Sequence, residues 1–144
     1  MGAADIGLSP GHRIFVRKSK KQIMTTSEVA AHYHEMANQR KFIEIQDTFY
    51  HEQVVCQEPE KAASMGFPIF TNGLEAIKAK GIARRATIET VHSYTCSEPL
   101  VAGEFFSVVL KQELTFKDKP RTSLEEIGVF QVKEGKVVKE QFFY

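Results

Sequence analysis

Cysteine, net charge and long hydrophobic runs are all scarce in this sequence, and each shortage removes a class of protein. Only two cysteines, Cys56 and Cys96, occur in 144 residues. Two cannot build a disulfide scaffold or a zinc cluster of paired CxxC ligands, so they read as reduced, buried thiols acting as small apolar groups. A formal charge of +1 excludes a dedicated nucleic-acid binder, which carries a clear basic excess. No stretch approaches the roughly 18 apolar residues of a membrane span. The N-terminus also lacks the continuous apolar core of a secretory signal. There is no glycine-rich phosphate loop, internal repeat or low-complexity segment. The expectation is a cytoplasmic protein with neither nucleic acid nor membrane as partner.

What is present suffices for one domain with one core, since 42% of the residues are apolar. Charge is unevenly spread. Residues 1–23 hold five basic side chains against Asp5, a net +4, whereas the remainder holds 14 basic and 17 acidic residues, a net −3. Residues 1–23 therefore read as a basic leader, poorly ordered or loosely attached, and residues 24–144 as the domain.

The first helix should begin at Thr25, where Thr25 and Glu28 have the spacing of a capping box. Val29, Tyr33, Met36 and Ala37 then recur at helical spacing. Phe42, Ile45, Gln46 and Phe49 repeat the pattern in a short second helix. Val54–Glu58 reads as a strand, followed by an apolar connection over residues 60–71 that serves either as core closure or as a lid. Asn72, with Glu75 three residues on, should cap a third helix that weakens or ends at Gly81. Ala86–Cys96, Leu100–Leu114 (bulged at Gly103), Arg121–Val132 and Lys136–Tyr144 read as strands, the last two joined by Lys133-Glu134-Gly135-Lys136. Helices first and a long meander last predict an α+β fold. In it a cone-shaped, curved antiparallel sheet packs against three helices and leaves a pocket at its open end.

This order, with Asn72-Gly73-Leu74-Glu75-Ala76-Ile77 and Gly135-Lys136-Val137-Val138, resembles the SnoaL-like branch of the NTF2-like superfamily over roughly residues 24–144. The resemblance implies a cone-shaped α+β barrel, commonly a homodimer packed through the outer face of the sheet. It also implies a relationship to polyketide cyclases, ketosteroid isomerases and dehydratases, beside members that only bind or dimerise. The usual acid/base pair of such cyclases is absent. Aligned on Gly135, the two positions carry Gly128 and Phe142, and Gln131 and Gln141 stand where an Arg and a Trp are expected.

If the final hairpin pairs Val132 with Lys136, then Glu126, Gly128, Phe130, Val138, Glu140, Phe142 and Tyr144 share the face that the resemblance turns inward. Glu126 and Glu140 would then be carboxylates among aromatics, and desolvation raises a carboxyl pKa toward values useful to a general base or acid. The competing reading pairs one or both with a cation at the rim. His34, Tyr50 and His51 are candidate polar groups of the pocket, against the competing reading of the histidines as satisfied surface or helix-end residues. Phe70, Phe130, Phe142 and Tyr144 are candidate apolar lining. His32 and His34, two apart on a helix, point about 200° from each other and cannot share a metal. No cofactor or metal is called for. The expected ligand is a small apolar or aromatic molecule, either bound only or turned over by an isomerase, cyclase or lyase using Glu126, Glu140 and His51.

Overall fold

The computed structural model describes residues 22–144; the expected basic leader lies outside the described residues except for Gln22 and Ile23. In chain order the elements are α1 (Thr26–Asn38), α2 (Phe42–Phe49), β1 (Tyr50–Gln57), β2 (Phe70–Asn72), α3 (Leu74–Ala86), β3 (Ile88–Cys96), β4 (Leu100–Ala102), β5 (Phe105–Phe116), β6 (Arg121–Lys133) and β7 (Lys136–Phe143). Among the described residues no helix is long and apolar enough to cross a membrane.

The start of α1 follows from its sequence. Thr25 Oγ1 accepts the Glu28 N–H at 3.2 Å, and Glu28 Oε1 accepts the Thr25 N–H at 3.3 Å. Two of the N–H groups that a helix start leaves unpartnered are thereby satisfied. Val29, Ala30, Tyr33 and Ala37 form its buried stripe. The chain then reverses through Arg40 at φ +57° into α2, which buries Ile45 and Phe49.

One seven-stranded sheet runs β2-β1-β7-β6-β5-β3, with β4 also paired to β5. The expected α+β cone of helices over a curved sheet is present, and the sheet is mixed because β1 and β7 pair in parallel. The core lies between the concave face and the helices. There Phe106 stacks on Phe130 with ring centroids 4.7 Å apart, and Tyr33 of α1 closes over Phe130 at 4.5 Å. Cys56 and Cys96 are free thiols within this core.

Several local expectations change. Helix α3 is capped at Gly73, whose φ of +90° favours glycine, and Asn72 instead ends β2. The helix also runs through Gly81 to Ala86, because its turns rest on the core through Ile77 and one interior glycine costs only about 1 kcal/mol. Leu100–Leu114 divides into β4 and β5, with Gly103 at φ +59° in the turn between them. Residues 60–71 are not an open loop. They contain a 3₁₀ turn over Glu60–Met65 and then β2, which pairs with β1.

The final hairpin pairs Lys133 with Lys136 and Val132 with Val137, not Val132 with Lys136. Glu134 (φ +50°) and Gly135 (φ +75°) form its two-residue turn, the left-handed pair that matches strand twist. A bulge follows, so that Phe130 faces Glu140 and Gly128 faces Phe142. That bulge turns Val137 inward and leaves Val138 half-buried, the reverse of the expected assignment, while Glu140 and Phe142 keep the inner face.

Candidate functional site

A cavity of about 490 Å³ opens between the concave face and the helices, within the range of small-molecule sites. Apolar side chains from every layer form its walls, among them Phe42, Ile45, Ile77, Val91, Leu110 and Leu114. Set into those walls are three carboxyl groups, four tyrosines and four cations.

Period-two alternation delivers the first carboxyls. Glu126 on β6 and Glu140 on β7 both line the cavity, with Phe142 and Tyr144 beside them. Glu140 is 4% exposed and accepts a hydrogen bond from the buried Tyr50 hydroxyl. Burial raises the Glu140 pKa against the opposing effect of that bond, and burial beside Glu140 raises Tyr50 well above the usual phenol range. The Tyr50 hydroxyl therefore keeps its proton at neutral pH. Glu126 is pushed up to about 7, chiefly by burial, with Arg84 pulling the other way. It titrates where a general base needs to.

A second cluster surrounds the end of β1. Lys80 of α3 donates to Cys56 Sγ at 3.1 Å and to Glu58 Oε1 at 3.2 Å. Burial works to lower the Lys80 pKa, but Cys56 and Glu58 hold it above the ordinary amine value. Lys80 is thus a fixed cation and not a nucleophilic amine. Burial likewise raises the Cys56 thiol, which keeps it protonated and unreactive. The second Glu58 oxygen and the Gln46 carbonyl oxygen are buried acceptors without a hydrogen-bond partner among the described residues. Such acceptors carry a desolvation cost of about 1–3 kcal/mol that a donor on a ligand would relieve.

Four expected site residues lie elsewhere. His51 follows Tyr50 on β1, so alternation turns it to solvent, where its Nδ1 accepts the Gln53 N–H at 3.0 Å. His34 lies one residue beyond Tyr33, about 100° around the helix, and its Nδ1 meets the Ser97 carbonyl at 2.8 Å. Phe70 is 59% exposed because Thr71 takes the inward position of β2; from the apolar connection, Phe67 reaches the cavity instead. Phe130 does face inward, but α1 covers that end of the sheet and the ring is solid core below the cavity. Among the described residues no three His, Cys, Asp or Glu side chains gather as metal ligands.

Tyr33, Gln46, Glu58, Lys80, Arg84 and Tyr94 line the cavity without having been singled out. One signal was available for α3. Ile77, Lys80, Gly81, Arg84 and Arg85 follow the 3–4 spacing of a single helix face, which marks that face as inward and cationic.

Helices α1–α3 over a bent sheet, with a polar-studded apolar cavity between them, define the NTF2-like class of α+β cones. The chain belongs to the SnoaL-like domain family, which matches residues 24–144. A protein of Mesorhizobium loti, provisionally assigned as a SnoaL-like polyketide cyclase, is 26% identical, with a TM-score of 0.77 over 84% of this chain and 100% of that one. An NTF2-like protein of unknown function from Burkholderia pseudomallei is 15% identical, with a TM-score of 0.70 over 84% and 92%. TerC, co-crystallised with polyporic acid, is 16% identical, with a TM-score of 0.69 over 83% and 92%. No curated protein matches the chain.

Proposed function

We propose that the protein binds a small apolar carbonyl compound in this cavity and catalyses proton transfer on it, as an isomerase, cyclase or lyase. The carrying observation is Glu126, a carboxyl pushed up to about 7 in an apolar cavity that also holds the hydrogen-bonded Tyr50–Glu140 pair. Ionised Glu126 takes a proton from the carbon next to the carbonyl. The Tyr50 hydroxyl turns from Glu140 to donate a hydrogen bond to the oxygen that becomes negative, and Glu126 then returns the proton to a second carbon. The fold relative TerC, with polyporic acid as its co-crystallised molecule, accords with an aromatic oxygenated ligand.

The test is deuterium exchange at the α-carbons of apolar ketones, followed by NMR. Exchange should exceed the buffer rate and rise with pH through about 7 as Glu126 ionises. Glu126→Gln should slow it by about 10²–10⁴-fold, and Tyr50→Phe should lower it with unchanged base titration. Exchange at the buffer rate with every ketone would remove the catalytic reading.

A second reading, a binder without chemistry, draws on Gly128 and Phe142 at the family's acid/base positions. A Cβ at Gly128 would stand 2.8 Å from Phe130 Cε2 and 3.3 Å from Phe142 Cε1, so aromatic rings fill the space that an acid would occupy. Ligand-dependent thermal stabilisation without exchange would select this reading.

A further inference from the structure

The inward face of α3 breaks the rule that a helix turns aliphatics to the interior. Ile77 obeys it, but the next positions of the same stripe are Lys80, Gly81, Arg84 and Arg85, and all of them line the cavity. Lys80 is neutralised by Glu58. Arg84 and Arg85, with Arg40 contributed from the α1–α2 turn, form no ion pair within 4 Å among the described residues. Arg84 is half-buried in the wall, and Arg85 folds back over Gly81, with its Nη1 3.7 Å from where a Cβ would stand. Of the opposing carboxyls, Glu140 is buried and bonded to Tyr50, leaving Glu126 as the counter-charge. A half-buried guanidinium with no carboxylate in contact is costly unless a partner arrives with the ligand.

We infer that the ligand is an apolar organic acid whose carboxylate is held by Arg84, with Arg85 and Arg40 at the rim, and whose body occupies the aliphatic cavity. This rests on the cavity being the ligand site and adds the charge of what enters it. Guanidinium is suited to that role, because its planar fork presents two parallel N–H donors to a carboxylate. The pairing also acts on Glu126. Arg84 favours the ionised form of that carboxyl, so drawing the guanidinium to a ligand carboxylate makes Glu126 the stronger base once the site is filled.

The probes are phenylalkanoates of increasing chain length, each compared with its own primary amide, which keeps shape and carbonyl but removes the charge. Affinities are measured by titration calorimetry on the full chain at neutral pH, at low and at high salt. The acid should bind at least about tenfold more tightly than its amide, and added salt should weaken the acid alone. Arg84→Gln should bring the acid-to-amide affinity ratio to about one, and Arg84→Lys should restore part of the preference for the acid. Should the glutamine variant lose its far-ultraviolet dichroism, the wild-type and lysine proteins still compare acid with amide. Equal binding of acid and amide by the wild type overturns the anion subsite while the apolar cavity reading stands. Binding of neither member across the series overturns both.

Discussion

Two influences meet on Glu126. Burial in an apolar wall favours the neutral carboxyl, the Arg84 guanidinium favours the ionised one, and burial wins, so that the group titrates near 7. Its unfolded value is the ordinary one near 4.5, so between the two the folded state binds more protons. Stability from this group is then greatest below about pH 4.5, falls as pH rises, and levels off above about pH 7. The shift caps the loss at about 3 kcal/mol, and residual exposure of the side chain brings the expected loss to about 1–2 kcal/mol. Urea denaturation at about pH 5 and about pH 8 should show the wild type losing more than Glu126→Gln by that amount. Glu140, raised in the same direction, remains as a common background in both proteins. Gly128 offers a second residue-scale outcome. The Phe130 ring that a Cβ would strike is fully buried and stacked on Phe106, so it has no space to move into. Gly128→Ala should therefore destabilise by about 1–3 kcal/mol through overpacking, again read from urea midpoints.

Among the elements, α1 was the most legible in sequence, because its start is a side-chain device and not a matter of context. Removing half of that device by Thr25→Ala should cost about 1 kcal/mol of global stability, measured as a lower denaturation midpoint with an unchanged slope. The strand faces carrying Glu126, Glu140, Phe142 and Tyr144 could also be read, since alternation survives any shift of register by two. What escaped was set by neighbours. The β7 bulge changes which of Val137 and Val138 is buried, and only the pairing with β6 reveals it. Helix α3 outlasts Gly81 because tertiary contact overrides a weak local penalty. The cationic stripe of α3 was present as spacing but resembled a solvated helix end, and only the concave sheet opposite it shows that Arg84 faces a cavity.

At the scale of the molecule, the parallel pairing of β1 with β7 brings Tyr50 of β1 beside the strand that carries Glu140, joining residues ninety positions apart in the chain. No periodicity encodes that contact. The same sheet has a convex face, and there Val109, Ile127 and Phe143 lie in one cross-strand row on β5, β6 and β7, each at least 36% exposed. Val129, on the same face of β6, is half-buried. Three adjacent apolar side chains in register on exposed sheet form the kind of patch that marks an interaction surface. The homodimer expected from the sequence would cover this row, since a two-fold contact sets each apolar row against its own copy. Ile127 is the middle of the row and, being outside the core, can change without disturbing the fold. Ile127→Glu sets two like charges against each other across such a contact and should convert a dimer to a monomer with unchanged circular dichroism. Sedimentation at micromolar concentration reads both states, and a wild type that sediments as a monomer there would reject the pairing.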